Sequence, residues 1–184
     1  MAEFHKVHIQ EIKQETADAV SVVFSIPEDL KAYFSFTAGQ YVTLQKEING
    51  ETIRRAYSIC ATPASGEIRV AIKKVEKGIF STYATSDLKV GDAIEITAPE
   101  GRFLLNPEVH NNYIGFAAGS GITPILSMLK SVLIKEPTAT FTLIYGNKSA
   151  ADTIFYKELN QLKETYIDRL KLHYIFSREN VKNN

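Results

Sequence analysis

Apolar residues recur at every second position through much of the first hundred residues, a pattern that predicts β-strands. The runs at 20–26 and 68–72 show this alternation, and "DAIEIT" at 92–97 repeats it in a shorter form. Asn49-Gly50 joins two further strand-like runs and is typical of a type I′ hairpin. One short helix is predicted at "STYATSDL". Several short strands at this spacing predict a small antiparallel β-barrel.

The pattern changes after the polar connector "NPEVHNN" at 106–112. Continuous apolar runs, typical of buried parallel strands, now alternate with segments of helical period. Strands are predicted at 114–118, 140–145 and 170–176, and helices over "ITPILSMLKSVLIK" and "TIFYKELNQLKETY". This β-α-β-α-β order predicts half of a doubly wound sheet, with the three strands paired in the order third, second, first.

The sequence therefore predicts a β plus α/β protein of two domains. Residues 1–106 are expected to form an antiparallel β-barrel, and residues 112–184 an incomplete doubly wound parallel domain. An open apolar edge at "YIGFAA" is expected to favour self-association into a homo-oligomer.

Composition narrows the classes of function. The 184 residues carry 21 Lys+Arg and 21 Asp+Glu, so no net charge attracts nucleic acid or an anionic membrane. Cys60 is the single cysteine, which excludes an internal disulfide and a four-cysteine cluster held by this chain alone. No apolar run approaches the ~20 residues of a membrane span, and the N-terminus lacks a secretory signal. A cytoplasmic location is expected.

Three short stretches carry candidate chemistry. "FAAGSGITP" takes a buried strand through Gly119-Ser120-Gly121 into a helix, whose free N–H groups and dipole suit a pyrophosphate. "KGIFSTYA" at 77–84 offers a similar helix start, and "RRAYSIC" at 54–60 crowds Arg, Tyr and Ser onto one strand. Taken singly, each has a plain structural interpretation: a tight turn, a capped helix or a solvated barrel strand.

Taken together and in this order, the three stretches resemble the ferredoxin–NADP reductase family of flavoproteins. "PEGRF", "YGNK" and "FSRE" also look like segments of that family, and the likeness covers essentially the whole chain. Several of these segments are similar to the reductase components of the epoxidases that act in phenylacetate degradation. The resemblance implies an NAD(P)H-dependent flavin oxidoreductase with FAD as cofactor and NADPH as substrate.

The resemblance also implies roles for residues of the predicted barrel. Arg55 would pair with the FAD phosphates, Tyr57 would stack on the isoalloxazine and Ser58 would approach flavin N5. Tyr57 and Ser58 are therefore the implied catalytic residues. The flavin would lie beside the strand edge at 70–73, which includes Ile72 and Lys73. The FAD pyrophosphate would lie against the start of the short helix, held by Gly78, Ile79, Phe80, Ser81 and Thr82.

In the second domain the resemblance implies a binding site for NADPH. Its pyrophosphate and nicotinamide would be held by Gly119, Ser120, Gly121, Thr123 and Pro124. Ser177 and Arg178 would bind the 2′-phosphate, and a hydroxyl beside a guanidinium suits a phosphate dianion.

The chain also departs from the family pattern. It has no match to the family's Cys-Gly-Pro segment, and a [2Fe–2S] cluster is expected only in a missing C-terminal domain or in a partner. The expected partners are oxygenase or epoxidase components or an iron–sulfur protein, and no metal site is expected here. An alternative is a truncated flavin-binding or regulatory module without nicotinamide turnover.

Overall fold

A computed structural model describes residues 3–105 and 112–179. The strands among these residues form two sheets. The first sheet has six strands in the order β4-β3-β6-β1-β2-β5. Its strands are β1 (Phe4–Thr16), β2 (Ala19–Ser25), β3 (Tyr41–Ile48), β4 (Glu51–Ser58), β5 (Ile68–Lys73) and β6 (Ala93–Thr97). All their pairings are antiparallel.

The first sheet curls into a barrel, as the alternating pattern predicts. The chain just after β4 bridges to the middle of β5 at Ile59–Val70, and the Cys60 N–H donates to the Arg69 carbonyl at 2.9 Å. The predicted hairpin joins β3 to β4, with positive φ at Asn49 and Gly50 as a type I′ turn requires. The predicted short helix is α1 (Ile79–Ser86).

The second sheet has three parallel strands in the predicted order β7-β8-β9. Its elements are β7 (Asn112–Ala118), α2 (Ile122–Lys135), β8 (Thr140–Asn147), α3 (Tyr156–Thr165) and β9 (Leu170–Phe176). The predicted connector at 106–112 lies outside the described residues except for Asn112. No described helix is long and apolar enough to span a bilayer.

Helix α3 begins three residues later than its apolar period predicts. Phe155 is buried but adopts φ +62°, a left-handed conformation that a right-handed helix cannot include. The segment from Thr153 therefore forms a turn, and the helix starts at Tyr156.

The outside of the barrel packs directly against the α/β half. Small barrel residues are buried in the same cluster as the apolar face of α2, namely Ala19, Ala38, Cys60 and Ala71. The hydroxyls of Thr62 and Ser131 lie 3.4 Å apart beside this contact. Burial raises the pKa of the Cys60 thiol to about 12, so the thiol stays protonated and packs as a small buried side chain.

Gly39 lies where the barrel, the chain leaving it and α2 meet. It adopts φ +102°, and a Cβ there would lie 1.9 Å from the Phe103 carbonyl oxygen and 2.4 Å from Met128 Cε. No larger residue fits without moving backbone.

Replacing Gly39 with alanine should therefore destabilise the protein through both strain and overlap. We expect the free energy of unfolding to fall by about 2–5 kcal/mol. The control is Gly91→Ala, where φ is +90° but nothing lies within 4 Å of the added Cβ. That variant should lose about 1–2 kcal/mol in urea unfolding. Equal losses in the two variants would show that the packing around Gly39 is unimportant.

Candidate functional site

A cavity of about 430 Å³ opens where the barrel and the α/β half meet. Its walls come from the ends of β4 and β5, the turn before α1 and the turn before α2. It brings together these predicted site residues: Arg55, Tyr57, Ser58, Lys73, Gly78, Phe80, Ser81, Ser120, Gly121, Thr123 and Pro124. Arg55 and Pro124, which are 69 residues apart in the sequence, thus line the same cavity.

Strand β4 sends alternate side chains to opposite faces, as strand geometry requires. Arg55 and Tyr57 face the cavity, and Ser58 joins them where the strand ends. Arg54 points the other way, with its guanidinium 5.0 Å from the Phe4 ring and a hydrogen bond to Gln45. The adjacent arginines are therefore not equivalent: Arg55 directs its charge toward the cavity and Arg54 does not.

Tyr57 is a half-buried ring placed 5.8 Å from the ring of Phe80. Burial raises the pKa of the Tyr57 phenol to about 12, and the nearby Arg55 guanidinium acts in the opposite direction. The phenol is therefore neutral across the physiological range, which suits stacking and hydrogen bonding rather than proton transfer.

Glycine at position 78 allows the turn before α1 to close tightly on the side chains of Val75 and Ser81. A Cβ there would lie 2.4 Å from Ser81 Oγ and 2.5 Å from Val75 Cγ2. The Ser81 hydroxyl closes this turn, because it accepts from the Val75 N–H and donates to the Gly78 carbonyl, both at 3.2 Å. The first N–H groups of α1 then remain available to an anion, because they have no partner within the helix.

The turn before α2 forms the opposite wall. Gly119 adopts φ +50°, and Gly119–Gly121 make a single helical turn that leads into α2. Thr123 Oγ1 donates to the Ser120 carbonyl at 3.1 Å. The Lys73 ammonium lies 4.0 Å from the position that a Cβ on Gly119 would take, so a barrel cation reaches this turn.

Some predicted residues lie outside this cavity. Ile72 is fully buried in the barrel core and does not line the cavity. Ile79 and Thr82 line an adjoining hollow of about 660 Å³ that shares Gly78 with the cavity. Gly119 flanks the cavity without lining it.

Ser177 and Arg178 also lie outside, beyond the end of β9. Their N–H groups donate to the carbonyls of Asn147 and Lys148, at 3.0 and 2.9 Å, and both residues are exposed. They share the carboxyl edge of the parallel sheet with the turn before α2. This edge is where open α/β sheets bind ligands.

The sequence reasoning missed two residues that line the cavity, Ala56 and Val75. Ala71, within the strand edge predicted at 70–73, also lines the cavity, because it shares a face with Lys73 rather than with Ile72. No local signal marks Ala56 or Val75. Among residues 3–105 and 112–179, no group of three or more His, Cys, Asp or Glu side chains could hold a metal ion.

Comparisons with known proteins agree with this architecture. The oxidoreductase FAD-binding domain model matches residues 6–104, and the oxidoreductase NAD-binding domain model matches residues 116–184. One component of the 1,2-phenylacetyl-CoA epoxidase of Escherichia coli is 40% identical over 98% of this chain and 51% of its own length.

Solved structures give the same picture. The flavohem-like FAD/NAD-binding domain of nitric oxide dioxygenase from Vibrio cholerae superposes with a TM-score of 0.85 at 25% identity, over 96% of this chain and 76% of that one. Phthalate dioxygenase reductase, described as modular for electron transfer from pyridine nucleotides to [2Fe–2S], gives 0.79 at 28% identity, over 98% and 54%. The chain spans about half the length of the curated relatives it matches.

Proposed function

Because this chain belongs to the oxidoreductase family built from an FAD-binding and an NAD-binding domain, we propose that it is a flavin reductase that uses NADPH. Hydride would pass from NADPH to FAD, and electrons would then pass singly to an iron–sulfur centre serving an oxygenase. The observation that carries this proposal is the single cavity lined by Arg55, Tyr57 and Ser58 from one half and by the Ser120-Gly121 turn from the other.

The residues present fit FAD. Among the described residues, the Arg55 guanidinium donates one hydrogen bond, to the Arg54 carbonyl, and the residue is exposed, so its charge can pair with phosphate. The tight turn at Gly78 brings backbone close to the same place. Tyr57 supplies a neutral ring to stack, and Ser58 a polar group at the strand end. The adjoining hollow beside Ile79 and Thr82 suits the adenosine half.

FAD, when bound, supplies the chemistry of accepting a hydride and releasing single electrons. The chain's own residues bind and orient. Arg55 neutralises phosphate charge, Tyr57 fixes a ring plane and the Ser58 hydroxyl contacts the polar ring edge. No side-chain acid or base is needed, which agrees with the raised pKa of Tyr57.

We assign the dinucleotide to the opposite wall. The turn at Gly119-Ser120-Gly121 and Thr123 would hold its pyrophosphate, and Pro124 would shape the approach of the nicotinamide. Ser177 and Arg178, on the same carboxyl edge, would take the 2′-phosphate. An exposed hydroxyl beside an exposed guanidinium supports a preference for NADPH over NADH.

We propose an oxygenase or epoxidase system as the partner and the cytoplasm as the location. The names of the similar epoxidase component and of phthalate dioxygenase reductase support such a partner. Within the described residues β7 has no neighbour on its outer side, and Ile114 and Phe116 are 67% and 71% exposed. This edge favours association with a second copy.

The proposed function predicts a coloured protein that NADPH bleaches. The purified chain, loaded with FAD, should show flavin absorbance that falls on adding NADPH without oxygen. Flavin binding without bleaching would instead support the alternative of a flavin-binding module. Absence of flavin binding would contradict both functions.

Arg55→Ala should weaken FAD binding, because a charge-assisted bond to phosphate contributes about 1.5–3 kcal/mol. The matched control is Arg54→Ala, which removes the neighbouring charge from the opposite face of β4. The amount of FAD that each variant retains after dialysis measures its affinity for the flavin. Equal flavin content in the wild type and the Arg55 variant would rule out this role.

Arg178→Ala should weaken the binding of NADPH more than the binding of NADH, because only NADPH carries the 2′-phosphate. Lys171→Ala, which removes an exposed cation near the other end of β9, should leave the ratio unchanged. The KM for each coenzyme with an artificial acceptor reports the preference. Equal losses for the two coenzymes would exclude Arg178 as the selective residue.

A further inference from the structure

Tyr145 connects the middle of the parallel sheet to the turn before α2. Its side chain is only 1% exposed, and its hydroxyl donates to the Gly119 carbonyl at 2.8 Å. The Ile154 carbonyl lies 3.4 Å from the same hydroxyl. A buried phenol on β8 thus fixes backbone 26 residues earlier in the chain.

The orientation of the Gly119 carbonyl decides which backbone groups face the cavity. In a trans peptide the carbonyl and the following N–H point in opposite directions. Holding the Gly119 carbonyl toward Tyr145 therefore turns the Ser120 N–H away from Tyr145, and Ser120 lines the cavity. With this peptide flipped, a carbonyl oxygen would face an incoming phosphate and repel it.

The turn needs such an anchor because glycine makes other conformations accessible. Gly119 has φ +50°, and glycine populates positive and negative φ about equally. The Ile122 N–H donates to the Gly119 and Ser120 carbonyls, so within the turn the Gly119 carbonyl has one backbone donor. The Tyr145 hydroxyl adds a second donor from a rigid strand.

We propose that Tyr145 is a positioning residue for the dinucleotide: its hydroxyl holds the Gly119–Ser120 peptide so that the Ser120 N–H faces the pyrophosphate. This inference rests on the proposed function, in which the turn before α2 holds that pyrophosphate. NADPH and NADH share the pyrophosphate, so Tyr145 acts equally on both. That separates its role from the one proposed for Arg178.

The test is Tyr145→Phe, which keeps the ring and removes only the hydroxyl. NADP⁺ and NAD⁺ are titrated calorimetrically into the FAD-loaded chain. Loss of one hydrogen bond should raise both dissociation constants by roughly three- to tenfold. Flavin content should be unchanged, because Tyr145 does not line the flavin side of the cavity.

Two matched variants remove a hydroxyl elsewhere in the same sheet. Tyr174→Phe alters the ring that lies 6.3 Å from Tyr145 between centroids. Tyr113→Phe removes a 2.6 Å bond to Glu136 at the other end of the sheet. Both should bind NADP⁺ and NAD⁺ like the wild type, even if their thermal midpoints fall as far as that of Tyr145→Phe.

Unchanged affinity in Tyr145→Phe, or an equal loss in Tyr174→Phe, would overturn the inference. If the wild type binds neither dinucleotide, the proposed function fails. Hydrogen exchange of the Ile122 amide then tests whether the Tyr145 hydroxyl fixes the turn before α2. Faster exchange at Ile122 in Tyr145→Phe, with wild-type exchange in Tyr174→Phe, supports a hydroxyl that fixes this turn. Wild-type exchange in Tyr145→Phe overturns it.

Discussion

The close packing of small side chains against α2 is the contact on which the rest of this structure depends. Ala19, Ala38, Cys60 and Ala71 share one buried cluster with the apolar face of that helix. Their size lets the barrel wall and the helix approach closely, and the loss of such packing is costly in protein interiors. Ala71 also lines the cavity, so the contact that joins the two halves sets the distance between the cavity walls.

Much of the fold could be predicted because local pattern and tertiary structure agree. The Asn49-Gly50 hairpin and the parallel order β7-β8-β9 follow from turn chemistry and from apolar runs separated by helices. The start of α3 could not be predicted in the same way. Phe155 continues the apolar pattern, yet its burial is achieved with a left-handed backbone that no periodicity signals.

The candidate site could be predicted where glycines and charged residues lie in short stretches that follow the order typical of the family, as at Gly78 and Ser120. Side-chain direction was harder, since Ile72 faces the core while its neighbours face the cavity. Tyr145 was not predictable at all. It lies in an apolar run, where burial is expected, but its hydrogen bond to Gly119 arises only when β7 and β8 pair.

The division of the cavity between two sheets has a consequence for how its walls respond to substitution. Here β7 carries the turn at Gly119, and the facing wall comes from strands β4 and β5 of the barrel. The two walls therefore belong to two different sheets, which pack against each other through small residues such as Ala19, Ala38, Cys60 and Ala71. Either wall can accumulate substitutions without disturbing the hydrogen-bond ladder of the other.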